Sequence, residues 1–173
     1  RSQAERNRRS GFAPAGGIHC NGAKPRAREV DVDTESIVYG CIKHLPFGTL
    51  AERKRSCEHN RRTLNQLPQA DAWPFLCREM FAVPGSDLMG GTYQTQVIHF
   101  GMSYRAVEYE WEHWVGKFEA LLKGMYWVNA VVHLETELAG VHTFVWECAD
   151  LCHEPSDQPL RVRCEWAREG AVS

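Results

Sequence analysis

Four residues near the C-terminal third of the chain have the types that proton transfer or metal binding needs: His133, Glu135, Glu137 and His142. The segments "YWVNAVVHLETEL" and "VHTFVWEC" flank Ala139-Gly140, and strand, two-residue turn, strand predicts a β-hairpin. With that loop Glu137 faces His142, Glu135 faces Phe144 and His133 faces Trp146, so both histidines and both carboxylates share one side of a sheet. The opposite side collects Val132, Leu134, Leu138, Val141 and Val145 as a core face. An imidazole–carboxylate cluster can act as a general acid–base pair or hold a metal through nitrogen and oxygen. His99, Phe144 and Trp146 would complete the mouth of a pocket above it. The plainer reading is a solvated face on which Arg161 and Arg163 of a following strand meet Glu135 and Glu137. Such cross-strand pairs are worth roughly 0.2–1 kcal/mol each.

The stretch "WECADLCHEP" adds soft ligands: Cys148, Cys152 and His153, with Cys164 completing four within 17 residues. Zinc accepts that donor set, but structural zinc sites pair two tight knuckles, and Cys164 falls on the apolar side of its own strand pattern. The spacing is one residue longer than the haem-attachment signature C-x-x-C-H, and a thioredoxin-like centre needs C-x-x-C opening a helix. His133-Leu134-Glu135 followed by cysteines invites comparison with zinc deaminases, yet no proline precedes Cys148 and the cysteine spacing is wrong. The expectation is cysteines acting as small hydrophobes, with no metal and no cofactor. No nucleophile elbow or phosphate loop is present, and catalytic residues are accordingly expected to be none, the alternative being the His133, Glu135, Glu137, His142 cluster.

The elements that would position these residues follow from periodicity and caps. Ile37-Val38-Tyr39 is a short apolar run bounded by Gly40 and Pro46, a short strand or an extended arm. Thr49-Leu50-Ala51-Glu52 is a capping box opening a helix over 49–67, rich in Arg and Lys and thin in apolar positions. Asp71 fits the N-cap of a second helix with Pro74 in its first turn; Trp73, Leu76, Cys77, Met80 and Phe81 then form its core stripe. Met89-Gly90-Gly91 reads as a flexible joint, and "TYQTQVIHF" alternates as a strand over 92–101. Ser103 can cap a helix over 104–124 whose Val107, Trp111, Trp114, Val115, Phe118, Leu121, Leu122 and Met125 share one face. The hairpin follows, then "LRVRCEW", in which Leu160, Val162, Cys164 and Trp166 alternate with Arg161, Arg163 and Glu165.

The fold expected is therefore α+β: two N-terminal helices, then strand-helix-strand-strand-strand, with a curved antiparallel sheet packed on the 104–124 helix. In element order this resembles the cone-like α+β folds, nuclear-transport-factor-like and hotdog folds among them; no motif is shared, so the resemblance implies no site residues.

With 173 residues the chain can form one domain with a substantial core. We expect an extended basic tail over 1–30 and a single domain over 31–173. The net charge of -2 argues against a dedicated nucleic-acid binder, and no stretch approaches the ~20 apolar residues a membrane-spanning helix needs. Seven cysteines in scattered positions make a poor disulfide framework. Residues 1–29 carry seven Lys and Arg against two acids. That composition, with no Met at position 1, has the character of an organelle-import segment, and it directs the expectation to the mitochondrion, otherwise to the cytoplasm, and away from secretion. Such a segment cannot bury enough apolar surface to order by itself and would need a partner's surface. The function expected is thus a non-catalytic accessory subunit of a larger assembly, held by residues 1–30 and the 49–67 helix. The alternative is a small cone-like enzyme or ligand-binding protein using the His/Glu pocket.

Overall fold

A computed structural model describes residues 34–85, 95–137, 139–148 and 150–167, with side chains to residue 165. The basic segment 1–30 and the glycine pair at 90–91 lie outside the described residues. The fold is α+β, built on a six-stranded antiparallel sheet and two α-helices. The strands are β1 (Glu35–Lys43), β2 (Phe81–Ala82), β3 (Val97–Arg105), β4 (Asn129–Thr136), β5 (Gly140–Glu147) and β6 (Val162–Ala167); the helices are α1 (Leu50–Asn65) and α2 (Trp111–Lys123). The strand order is β2-β3-β1-β4-β5-β6.

The segment around Ile37 is neither short nor an arm. It is the nine-residue β1 at the middle of the sheet, paired with β3 on one side and β4 on the other. Gly40 does not end it. A Cβ there would stand 2.0 Å from the Val131 carbonyl oxygen and 2.9 Å from the Phe100 ring, so the strand can continue through this point only because residue 40 has no side chain.

Period-two alternation gives the sheet an inner and an outer face. Val38 and Ile42, Ile98, Phe100 and Tyr104, Ala130, Val132 and Leu134, and Trp146 are buried on the inner face. Trp114, Phe118, Leu121 and Leu122 of α2 and Leu64 of α1 complete that core. The Phe118 ring lies 5.2 Å from Phe100 and 5.3 Å from Trp146, reaching both sides of the central strands. Three indole N–H groups of this layer are bonded: Trp114 donates to Tyr104 Oη (2.9 Å), Trp127 to the Leu122 carbonyl (2.9 Å) and Trp146 to Glu119 Oε1 (2.9 Å).

The helix expected over 49–67 is α1, and its capping box forms: the Thr49 hydroxyl accepts from the Glu52 amide (3.3 Å) while Glu52 Oε2 accepts from the Thr49 amide (2.8 Å). Few apolar residues hold it down. Asn60 compensates, donating to the Tyr126 carbonyl and accepting from the Tyr126 amide, both at 2.8 Å. A buried amide with both ends bonded to backbone replaces the missing apolar stripe.

The second helix expected from Asp71 does not form. In a helix the Leu76 amide would donate to the Ala72 carbonyl. Here the Leu76 amide donates to Asp71 Oδ2 (3.1 Å), and the Ala72 carbonyl accepts from Lys117 Nζ (2.7 Å). Lys117 also reaches Asp71 Oδ2 (2.7 Å) and the Pro74 carbonyl (2.9 Å). One ammonium from α2 thus takes the acceptors that helical bonds would need. The chain runs as a loop through a cis Trp73–Pro74 peptide into a single 3-10 turn (Arg78–Met80) and β2. Leu76, Cys77, Met80 and Phe81 are still buried, but from loop and strand, and Trp73 stays 44% exposed.

The helix expected over 104–124 begins later. Tyr104 and Arg105 belong to β3, pairing with Ser36 and Glu35. Ala106 takes a left-handed conformation (φ 57°), and a 3-10 turn (Val107–Glu110) leads into α2. Ser103 is a strand residue and caps nothing in the helix; its hydroxyl donates to Glu35 across the strands.

Candidate functional site

The His/Glu cluster fails on register. Thr136 pairs with Gly140, Leu134 with His142, His133 with Thr143 and Ala130 with Trp146. The turn holds three residues, 137–139, because the Thr136 hydroxyl accepts from the Ala139 amide (3.1 Å) and Gly140 supplies the positive φ (73°) that closes it. Relative to a two-residue loop, β5 slides by an odd number of residues, and an odd slip exchanges its faces. His133 and Glu135 stay on the outer face. His142, Phe144 and Trp146 turn to the inner face, beside Leu134, Val132 and Ala130. Glu137 sits in the turn. His99 is exposed on the outer face, opposite Cys41. The proposed pocket mouth is therefore split between two sides of one sheet. Val141 and Val145, expected in the core, lie on the outer face.

His133 is occupied in a different way. Its ring lies 4.9 Å from that of Tyr39, and its Nδ1 is 2.9 Å from the Thr143 hydroxyl. Arg163 pairs with Glu165 (3.3 Å) and Glu147 (3.8 Å), where Glu135 and Glu137 were the expected partners.

Of the four candidate zinc ligands, His153 is buried, its ring stacked on Trp127 (4.7 Å, 14°). Its Nδ1 donates to the Met125 carbonyl (3.0 Å) and its Nε2 faces the Ser156 hydroxyl (3.5 Å). Backbone bonds between residues 127 and 153 fasten the loop after β5 to the segment before β4. Cys148 and Cys152 line an open hollow of about 860 Å³ beneath that loop. Burial raises the Cys152 thiol above its usual range, and Glu154, Cys148 and Asp150 push the same way, which opposes the thiolate that metal binding requires. Cys164 is exposed on β6. Among the described residues no three His, Cys, Asp or Glu groups are arranged to hold a metal ion, and six cysteines are free thiols.

The sequence reading missed a second cluster. His44 continues the inner-face parity of β1 and is fully buried. Cys57 Sγ of α1 lies 3.6 Å from its Nδ1 and 3.7 Å from its Nε2. Near-equal distances to both nitrogens mean packing against the ring, where a nucleophile–base pair would need one directed hydrogen bond. Burial lowers the His44 pKa and raises that of Cys57, so both groups are held neutral. Next to them Arg53, Arg55, His59, Tyr126, Cys152 and Glu154 line a hollow of about 450 Å³. Had the strand been read as continuing through Gly40, the period-two spacing of Val38, Ile42 and His44 could have placed His44 inside.

The outer face of the sheet is a further surface feature. Cross-strand register gives three rows: Ile37, Glu135, Val141; then Gly101, Tyr39, His133, Thr143, Glu165; then His99, Cys41, Val131, Val145, Arg163. Ile37 is 39% and Tyr39 38% exposed. In the middle of the face Ile37, Tyr39, Cys41, Val131, Val141 and Val145 alternate with Glu135, His133 and Thr143. Glu35 and Arg105 stand at one end, Lys43 and Glu147 at the other. α1 and α2 both serve the inner core, and among the described residues neither covers this face.

Compared with known proteins, the chain matches no family model, no curated protein and no solved structure. No helix among the described residues is long and apolar enough to cross a membrane.

Proposed function

We propose that this chain is a non-catalytic accessory subunit of a larger protein assembly, and that the outer sheet face is where a partner seats. The observation that carries this is the composition of that face: Ile37, Tyr39, Val131, Val141 and Val145 lie partly in water among Glu135, His133 and Thr143, with Glu35, Arg105, Lys43 and Glu147 at its two ends. Apolar and aromatic side chains mixed with polar ones on an uncovered face match the composition of protein interfaces, and Tyr is among the residues that carry binding energy there. The basic face of α1 (Lys54, Arg55, Arg62) and the basic segment 1–30 would add charge contacts that steer a partner. An organelle, the mitochondrion first, is the compartment that the basic segment favours.

The test is Tyr39→Asp with the full chain in its native cells. A folded variant that leaves its high-mass complex on native gels supports the reading; a folded variant that keeps its place in that complex sinks it. The rival reading, a ligand-binding protein, would use the Arg53–Glu154 hollow, and Tyr39→Asp would leave its binding unchanged.

A further inference from the structure

The two edges of the sheet differ. β2 is two residues long, so it offers little to pair with. β6 is six residues long and ends the strand order on the other side. Among the described residues nothing pairs with its outer edge. Val162 is 45% exposed and Cys164 is exposed as well. An open strand with apolar positions is a template for another strand.

We infer that β6 pairs antiparallel with β6 of a second copy of this chain, centred on Cys164. The charges select the occupant. In this register Arg163 stands opposite the second copy's Glu165, and Glu165 opposite its Arg163; Val162 stands opposite residue 166, and Cys164 opposite itself. The stretch Val162-Arg163-Cys164-Glu165-Trp166 is thus complementary to its own reverse. The neighbouring registers fail. A shift of two residues places Arg163 opposite Arg163, or Glu165 opposite Glu165, and like charges directly opposite are destabilising. A shift of one sets the charged side of one strand beside the apolar side of the other. In the single chain Arg163 meets Glu165 of its own strand at 3.3 Å and Glu147 at 3.8 Å, with all three side chains at least 57% exposed, where ion pairs contribute little. Exchange for cross-strand partners therefore sacrifices little and adds a ladder of backbone hydrogen bonds. The two-fold axis runs perpendicular to the sheet, so the outer faces of both copies lie on the same side and form one surface. The pairing itself does not depend on what docks there.

Sedimentation velocity of the full chain across a concentration series reads the pairing. The wild type is expected to dimerise. Arg163→Glu and Glu165→Arg each set like charges opposite at two places, and each should weaken self-association by roughly tenfold or more. Mixed together, the two variants restore both opposite-charge pairs, one chain carrying two acids and the other two bases, and the dimer should return as a heterodimer. That recovery also shows that neither variant was merely unfolded. Facing residues in an antiparallel pair have Cα atoms about 4.5–5.5 Å apart, so a short bis-maleimide should link two wild-type copies through Cys164 and fail with Cys164→Ser. A wild type that stays monomeric overturns the inference. So does a dimer indifferent to both charge variants, or one still linked after Cys164→Ser.

Discussion

The same four long strands present two unlike faces. On the inner face β1, β3, β4 and β5 supply Val38, Ile42, Phe100, Tyr104, Val132 and Trp146, and the polar atoms among them are mostly bonded to named partners. On the outer face the same strands supply Ile37, Tyr39, His99, Val131, His133 and Val145, and most side chains remain partly in water. One step along the backbone separates Val38, wholly buried, from Tyr39, 38% exposed. Stability should therefore reside on one side and recognition on the other. Mutations can break that division, and the size of each effect says how clean it is.

The largest effect belongs to the inner face. Phe118→Ala removes the ring between Phe100 and Trp146 and should cost about 3–5 kcal/mol, measured by equilibrium denaturation. A curve overlaying the wild type would mean that α2 is not the floor of the core. Gly40→Ala should cost about 3 kcal/mol or more, because the 2.0 Å approach is to a backbone oxygen of β4, which cannot rotate away.

Next come the polar anchors behind the core. Tyr104 Oη donates to the Phe75 carbonyl (2.8 Å) and accepts from Trp114 Nε1 (2.9 Å), and burial raises its pKa. Tyr104→Phe strands both partners and should cost about 1–3 kcal/mol. Lys117→Met removes the ammonium that holds Asp71, Ala72 and Pro74, at a cost of about 1.5–3 kcal/mol. It should also raise protease cleavage within residues 71–77, whereas Tyr104→Phe should not.

These anchors explain what could and could not be read from the sequence. α2 was legible because its apolar spacing is its own, and the start of α1 because Thr49 and Glu52 lie three residues apart. The 71–81 segment carries an equally good helical stripe, but its backbone acceptors are claimed by Lys117, which is remote in sequence. The hairpin was visible as two strands. Its register was not, because a Thr136–Ala139 bond and the φ of Gly140 chose a three-residue loop, and one loop residue decides which face every β5 side chain takes. The candidate site fell with that register. His44 was missed because β1 looked too short to have an inner face at residue 44.

Acid should act through the inner face as well. His44 has its pKa lowered below 6.5, first by burial and then by Arg53. Above pH 6.5 it is neutral in both folded and unfolded chains. As pH falls below 6.5 the unfolded chain takes up the proton first, so stability declines until the folded pKa is reached. Asp71, lowered mainly by its bond to Lys117, adds its loss only near and below its ordinary value of 3.8. His44→Leu should flatten the slope of Tm against pH just below 6.5 and leave the steeper acid limb in place. An unchanged slope would locate the titrating group elsewhere.

The smallest effect on stability should come from the outer face. Tyr39→Ser removes the ring that lies 4.9 Å from His133. Half-exposed, that pair loses only part of its apolar area to water, and aromatic cross-strand pairs are worth roughly 0.2–1 kcal/mol. The isolated chain should therefore unfold within about 1 kcal/mol of the wild type. His133 keeps its contact with the Thr143 hydroxyl, so the register of β4 on β5 should hold, and hydrogen exchange along those strands should be unchanged. If Tyr39→Ser instead costs as much as Phe118→Ala, something of this chain's own covers the outer face, and the separation of a stabilising face from a recognising one fails. If stability is kept while the high-mass complex is lost, the ring's contribution is to the partner, and the two faces divide the work as their burial indicates.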